Sequence, residues 1–217
     1  MSSTIVSQNL LRVEELGVLD YLSAWQMQKE IQEKVINNIA PNTLLILQHP
    51  SVYTAGRRTE ITDRPLDNTP VIDVDRGGKI TWHGLGQIVG YPIIKLINST
   101  DVVGFVRELE TALISICGEF GIKAERYCER SGVWLRDEKG DRKIAAIGLR
   151  VAKGVTMHGF ALNVNPDLSA YSKIIPCGIA DAKVTSLSAE LGRNITVEEV
   201  MPILKRYILP MLERVSQ

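Results

Sequence analysis

The sequence predicts an α+β fold, and the order of its elements carries that prediction. Strand-like segments outnumber helical ones and cluster between the second and the last predicted helix of the 217-residue chain. They follow one another without the strict strand–helix alternation of a doubly wound parallel sheet. We find no repeat, low-complexity tract or linker. A single domain over residues 1–217 is the simplest interpretation, with residues 176–217 as a candidate C-terminal subdomain.

Hydrophobic periodicity and capping residues predict three helices. The first spans about residues 18–36 and presents an apolar stripe. The second spans residues 101–121, with Asp101 as its N-cap. The last begins after Thr196, and Glu199 three residues later completes a capping box. Two prolines inside this last helix are expected to bend it, because each removes a hydrogen bond.

Short apolar segments bounded by glycine, proline and aspartate predict the strands. Residues 43–48 form a nearly all-apolar strand, whereas residues 54–70 have no period and are expected to form a long loop. Further strands are predicted at residues 71–75, 79–83, 89–96, 123–127, 133–136, 143–152 and 156–165, with a turn at 138–141.

Composition and charge argue against several classes of protein. Hydrophobic residues make up 45% of the chain, which suffices for one sizeable core. Lys plus Arg equals Asp plus Glu, at 25 each, so net charge does not direct the chain to nucleic acid or an anionic membrane. The N-terminus lacks a secretory signal pattern, and no apolar run approaches the roughly 20 residues of a membrane helix. We therefore expect a cytoplasmic protein.

The three cysteines differ in their surroundings. Their odd number and the lack of a CxxC pair give no support for a disulfide framework or a zinc ribbon. Cys117 lies on an apolar helical stripe, which indicates a core position, and Cys128 lies in a charged stretch. Cys177 stands between a proline and a glycine, where a reactive thiol and a small buried turn residue are equally well supported. A reactive thiol there needs a neighbouring base, because free cysteine titrates at about 8.5.

Residues 76–87 (RGGKITWHGLGQ) are rich in glycine around a short strand that ends in Trp82 and His83. Glycines so placed let the backbone approach a ligand closely or adopt positive φ. A substrate-binding wall and a tight hairpin explain the pattern equally well. A phosphate loop does not, because the GxxxxGK[ST] pattern is missing.

Lys143 precedes an apolar strand of small residues (KIAAIG) and is a candidate base. A lysine at the edge of a dry pocket loses hydration and can accept a proton, although a solvated strand start is the commoner explanation. His49, His83 and His158 are the other candidates, and local sequence does not choose among the four. Because no two histidines lie at i, i+2 or i, i+4, we expect no metal site.

Taken together, these segments resemble the lipoyl(octanoyl) transferase family, the octanoyl-acyl-carrier-protein:protein N-octanoyltransferases. The matching motifs run in the family's order from residues 49–56 through RGGKITWHGLGQ, KIAAIG and HGFALNVN to IIPCGI and VTSL. The family is related in fold to lipoate–protein and biotin–protein ligases. The resemblance therefore implies a catalytic domain of that type, with mixed, mostly antiparallel β-sheets flanked by helices.

The resemblance also implies a reaction. This reaction would be the first step of endogenous lipoate biosynthesis, the route by which proteins are lipoylated. Cys177 would take an octanoyl group from octanoyl-acyl carrier protein as an acyl-thioester. A lysine of a lipoyl domain would then receive it, on the E2 subunits of 2-oxoacid dehydrogenases or on the glycine-cleavage H protein. Lys143 is implied as the group that lowers the thiol pKa and accepts protons, in preference to the histidines. No cofactor, nucleic acid or membrane is expected, and the protein is expected to be a monomer.

Three walls of substrate-binding residues follow from the same resemblance. Their backbone N–H groups are natural oxyanion donors, and their small or apolar side chains suit an alkyl tail, at roughly 0.8 kcal/mol per buried methylene. One departure is Leu85, which stands where the family usually has a proline; it bears on the stiffness of this turn but removes no reactive group. The implied residues are Arg76, Gly77, Gly78, Lys79, Ile80, Thr81, Trp82 and His83; Ala146, Ile147 and Gly148; and Gly159, Phe160 and Ala161.

Three other functions remain open from sequence. An ATP-dependent lipoate–protein ligase shares the implied fold but needs no cysteine nucleophile. A thioesterase or peptidase would use the same Cys–Lys pair with water as the acceptor. A module that only binds lipoyl domains or acyl carriers would not depend on Cys177.

Overall fold

The structure, a computed structural model, describes residues 11–67, 69–127, 130–174 and 183–217. Cys128 and Cys177 lie outside these residues. The described helices are α1 (Tyr21–Ile36), α2 (Val102–Glu119), α3 (Leu187–Leu191) and α4 (Val197–Val215), with short 3₁₀ helices at Ile61–Asp63 and Leu168–Lys173. None of these helices is long and apolar enough to cross a membrane.

Eleven β-strands lie within the described residues. They are β1 (Arg12–Val18), β2 (Thr43–Gln48), β3 (Val52–Ala55), β4 (Val71–Asp73), β5 (Thr81–His83), β6 (Gln87–Ile93), β7 (Glu125–Tyr127), β8 (Arg130–Asp137), β9 (Gly140–Ala152), β10 (Val155–Asn163) and β11 (Lys183–Val184).

Two β-sheets organise the described residues. The large sheet has the order β1-β2-β6-β10-β9-β8-β7, and β11 pairs with β9 beside this path. Its pairs are antiparallel except β1 with β2 and β9 with β11. The small sheet has the order β4-β3-β5, with one parallel and one antiparallel pair. The predicted α+β fold with mostly antiparallel sheets is confirmed.

The large sheet buries different residues on its two faces, because successive strand residues point in opposite directions. Ile46, Ile88 and Leu162 belong to a core cluster that also contains residues of α2 and α4. Their strand neighbours, such as Leu45 and Val89, belong to a second cluster together with residues of α1. The α1 face is therefore distinct from the main core.

Local capping decides where the predicted helices begin. Asp101 accepts the Gly104 N–H at 2.7 Å, and Thr196 accepts the Glu199 N–H at 3.2 Å, so both predicted N-caps are confirmed. In the capping box predicted at Thr196, the Glu199 carboxylate instead pairs with Arg193 at 3.0 Å. The first helix begins at Tyr21 rather than at residue 18, because Asp20 caps it and the preceding residues form β1. The last helix continues from Val197 to Val215 with both prolines inside it.

Elements fixed by tertiary pairing differ most from the sequence prediction. The two-residue β11 exists through its pairing with β9, and its length gives no local pattern to detect. The four-residue β3 begins just before the predicted loop, which elsewhere contains only a 3₁₀ turn among its described residues.

Cys117 occupies the core position that its helical stripe predicts. Its side chain is fully buried on α2, and this burial raises the pKa of the thiol to about 12. The thiol is therefore protonated and unreactive at neutral pH.

Candidate active site

A cavity of about 230 Å³ lies on the α1 face of the large sheet. It is somewhat smaller than the roughly 300–1,000 Å³ of drug-sized ligand sites, which suits a narrow ligand. Thirteen of its lining residues were expected from sequence: Arg76, Gly78, Lys79, Ile80, Thr81, His83, Lys143, Ala146, Ile147, Gly148, Gly159, Phe160 and Ala161. The structure thus brings the three predicted walls and the candidate base around one space. Whether this space binds the acyl group stays a prediction.

Gly77 and Trp82 belong to the predicted wall but do not line the cavity. Trp82 lies between two lining residues of β5, and strand alternation directs its indole to the opposite face. There the indole Nε1 donates to the Ser51 hydroxyl at 2.9 Å. The Gly77 N–H donates to the Leu149 carbonyl at 2.9 Å and joins the loop to β9. A contiguous segment therefore contributes only part of its residues to the cavity.

Four small residues form the floor of the cavity on β9 and β10. Ala146 pairs with Ala161, and Gly148 pairs with Gly159, so the four lie in two adjacent rows. A Cβ at Gly159 would lie 2.1 Å from the carbonyl oxygen of Gly90, which no side chain tolerates. Position 159 is therefore restricted to glycine, and together with Gly148 and the two alanines it keeps the floor close to bare backbone.

Lys143 lies in an enclosed position on β9. Its side chain is 7% exposed, and its Nζ donates to the Ser131 carbonyl at 3.1 Å. The same Nζ lies 4.5 Å from the centre of the Trp134 ring, within the range of a cation–π contact. The amino group is held at the cavity by defined contacts, and its catalytic role stays a prediction.

Cys177 lies outside the described residues, but the chain on both sides of its segment is placed. Ile174 is buried in a cluster with Ile80 and Trp82, and Val184 packs against the same cluster. Val184 also pairs with Lys143 across β11 and β9. The segment that carries Cys177 therefore joins two points near the cavity wall. The catalytic pairing of Cys177 with Lys143 stays a prediction.

Arg76 organises the glycine-rich wall from within. Its side chain is buried, and its guanidinium donates to the carbonyl oxygens of Gly77, Lys79 and Thr54 at 2.8 to 3.0 Å. It also donates to the Thr54 hydroxyl at 2.9 Å. A buried charge needs such partners. Arg76 therefore holds the shape of residues 76–79, in addition to the substrate contact that the resemblance implies.

The three histidines lie near the cavity as neutral groups. Burial lowers the pKa of His83 to about 3, and the pKa values of His49 and His158 are also lowered, chiefly by burial. His83 Nδ1 donates to Gln87 Oε1 at 2.7 Å, and His158 Nε2 donates to Asp75 Oδ1 at 2.8 Å. A lowered pKa makes a histidine a weaker proton acceptor, so these three are less suited to the role of base that the resemblance implies for Lys143.

The His83 environment predicts a loss of stability in mild acid. The unfolded chain protonates this histidine at its ordinary pKa near 6.5, whereas the folded chain keeps it neutral down to about pH 3. Below pH 6.5 the unfolded state therefore binds one more proton, and the free energy of unfolding falls as the pH is lowered. At pH 5 the expected loss from this residue is about 2 kcal/mol relative to pH 7. Urea titrations at both pH values measure it, and His83→Gln should remove it; an equal pH dependence in that variant would contradict the assignment.

Further residues of the cavity were missed by sequence reasoning: Tyr21, Arg58, Tyr91, Arg130 and Ser131. Two of them had a local signal in the sequence. Tyr21 directly follows the helix-capping residue Asp20, and Ser131 directly precedes Gly132, whose φ is +116°. Tyr91 lies on a fully buried strand, where no pattern separates lining from packing residues. Within residues 11–67, 69–127, 130–174 and 183–217, no three His, Cys, Asp or Glu side chains come together in a way that could hold a metal ion.

Comparison with known proteins identifies the family of the chain. The family model of the lipoyl protein ligase A/B catalytic domain matches residues 20–209. The chain belongs to this family. Family members among the curated proteins include the octanoyltransferase of Salinispora tropica, 55% identical over 94% of this chain and 96% of its own length. The octanoyltransferase of Mycolicibacterium smegmatis is 58% identical over 92% of this chain and 88% of its own length. Relatives this similar show that the chain is an acyltransferase.

Solved structures of the family and its neighbours show the same fold. A bipartite lipoate protein ligase from Thermoplasma acidophilum superposes with a TM-score of 0.68 at 17% identity, over 93% of this chain and 83% of its own. The biotin protein ligase from Aquifex aeolicus superposes with a TM-score of 0.53 at 15% identity, over 94% of this chain and 69% of its own. At these identities the likeness concerns the fold alone. The lipoate- and biotin-ligase-like architecture that the resemblance implied is confirmed.

Proposed function

We propose that this acyltransferase moves an octanoyl group from acyl carrier protein to a lysine of lipoyl domains through a thioester on Cys177. One observation supports this most directly: an apolar-walled cavity with a floor of small residues contains Lys143 in its lining. Alkyl chains need such a space, because each buried methylene contributes roughly 0.8 kcal/mol. The names of the octanoyltransferase relatives support an eight-carbon acyl group as the one transferred.

In the first half-reaction, the Cys177 thiol gives its proton to Lys143, and the thiolate attacks the thioester carbon of the donor. The carbon–sulfur bond to the carrier breaks, and the carrier thiol leaves with the proton. In the second half-reaction, the ε-amine of the acceptor lysine attacks the Cys177 thioester. Lys143 takes the proton from that amine and returns it to the departing cysteine sulfur. The products are an octanoyl amide and the original thiol.

The partners belong to the same proposal. Octanoyl-acyl carrier protein is the donor, and the lipoyl domains of 2-oxoacid dehydrogenase E2 subunits and the glycine-cleavage H protein are the acceptors. The enzyme needs no ATP in this scheme, since the donor thioester is already activated. We propose further that the enzyme works in the cytoplasm and as a monomer.

Intact-mass analysis tests this function. Mixing the protein with octanoyl-acyl carrier protein should add one octanoyl group, and peptide mapping should place it on Cys177. Adding a lipoyl domain should remove the group from the enzyme and transfer it to the acceptor. Cys117→Ser is the matched control, because that thiol is buried in the core, and it should acylate like the unaltered protein. Acylation that persists in Cys177→Ala would overturn the proposal.

Two further arms separate the competing functions. With free octanoate, ATP and magnesium instead of the carrier, the lipoyl domain should stay unmodified, whereas an ATP-dependent ligase would modify it. With the carrier and the lipoyl domain together, the octanoyl amide should form faster than free octanoate. Faster release of free octanoate would identify a hydrolase.

A further inference from the structure

A buried carboxylate outside the cavity reaches the strand next to Lys143. Glu110 on α2 is fully buried, and its Oε1 accepts the Gly132 N–H at 3.0 Å. Its Oε2 pairs with Arg107 at 2.7 Å and with Arg126 Nε at 3.3 Å. A buried charge is retained only where its oxygens have such partners. The two arginines neutralise the carboxylate, and the remaining oxygen is directed at β8.

The group that Glu110 holds is the peptide unit between Ser131 and Gly132. The N–H of this unit belongs to Gly132 and donates to Glu110, whereas its C=O belongs to Ser131 and accepts from Lys143 Nζ at 3.1 Å. A peptide unit is planar, and its N–H and C=O point in opposite directions. Fixing the N–H therefore fixes the direction of the carbonyl that holds the lysine.

Gly132 adopts a conformation that this arrangement requires. Its φ is +116°, and a Cβ there would lie 2.5 Å from the Ala145 carbonyl and 3.3 Å from Lys143 Cε. The β8–β9 pairing also shifts register directly after it, between Val133 and Trp134. The Ser131–Gly132 unit is thus turned out of the regular strand, and the Glu110 hydrogen bond holds it there.

We propose that Glu110 is a positioning residue for Lys143, acting through the Ser131–Gly132 peptide unit. The inference rests on the proposed role of Lys143 as proton acceptor for Cys177. Glu110 touches neither the cavity nor the reacting atoms; it keeps the Lys143 amino group in place. Misplacement of a catalytic group by about 1 Å can lower a rate a hundredfold.

Variants at position 110 test this role against a purely structural one. Glu110→Ala is expected to lower kcat for octanoyl transfer about tenfold to a hundredfold, with KM changed less than about twofold. Glu110→Gln keeps an oxygen that accepts the Gly132 N–H, so it should stay within about threefold of the unaltered enzyme. Glu108→Ala is the matched control on the same helix, because Glu108 is exposed and pairs with Arg214. It should leave transfer unchanged.

Alkylation of Cys177 by iodoacetamide reports how readily this thiol ionises, and it is compared only under conditions where circular dichroism shows that both proteins are folded. Glu110→Ala should slow alkylation at pH 7 and match the unaltered enzyme at about pH 10, where a thiol ionises without assistance. A rate deficit that persists at about pH 10, or equal transfer by Glu110→Ala and the unaltered enzyme, would overturn the inference. If Glu110→Ala does not fold, Glu110→Asp retracts the carboxylate from Gly132 and allows the same comparison. Failure of the unaltered enzyme to acylate at Cys177 would instead contradict the proposed function.

Discussion

Replacing Lys143 with methionine is expected to lower octanoyl transfer by about a thousandfold, within the range of general acid–base catalysis. The substitution keeps the length and packing of the side chain against Trp134 but removes the amino group that the Ser131 carbonyl holds. In the proposed reaction, both half-reactions then lose their proton acceptor. Single-turnover measurements of Cys177 acylation and of discharge to a lipoyl domain should therefore slow together.

The control for this variant is Lys95→Met. Lys95 is partly buried, its Nζ donates to Asn38 Oδ1 at 3.1 Å, and it does not line the cavity. Its replacement should change neither half-reaction by more than about twofold, since surface polar contacts contribute little. If Lys143→Met acylates as fast as Lys95→Met, a different group accepts the proton.

Gly159→Ala is expected to lower the free energy of unfolding by about 3 kcal/mol, because overpacking against rigid groups is strongly unfavourable. The added Cβ would lie 2.1 Å from the Gly90 carbonyl oxygen and 2.6 Å from Pro92 Cδ, so β6 and β10 must separate. In a chain of this size the melting temperature should fall by roughly 10 °C. Octanoyl transfer should also fall, because Gly159 belongs to the cavity floor.

Gly118→Ala provides a control of the opposite sign. Gly118 lies inside α2, and a Cβ there meets no atom within 4 Å of the described residues. Alanine at an open helical position should raise stability by about 0.5–1 kcal/mol. Differential scanning calorimetry compares the two variants, and a similar loss in both would show that the Gly90 contact is not the cause.

The parts of the fold predicted correctly from sequence are those with a local cause. The Asp101 cap and the apolar strand at Thr43–Gln48 depend on residues within a few positions of each other. The same holds for the core position of Cys117 on the α2 stripe. The strand β11 depends instead on pairing with β9, more than thirty residues earlier, and short sequence windows carry no signal for it.

In the candidate site, too, the residues predicted correctly have a local signal, and the others depend on tertiary structure. Family motifs identified the segments, but strand alternation decides which of their residues face the cavity, so Trp82 turns away while His83 lines it. The sequence alone did not point to Glu110, because a single glutamate on an amphipathic helix is usually exposed to solvent. Its importance depends on where α2 packs against β8, and only the assembled fold supplies that information.

The hydrogen bonds from Arg76 to the surrounding carbonyl oxygens bear on how far the proposed binding wall is preorganised. Since protein groups already hold the guanidinium, residues 76–79 would need little rearrangement to receive an acyl chain in the proposed reaction. The conformational entropy of this wall is lost during folding, at about 1–2 kcal/mol per residue, and is not lost again on each turnover. Binding energy from the alkyl chain is then available for holding the thioester. A wall of this kind favours a rigid, preorganised site over one that closes around its ligand.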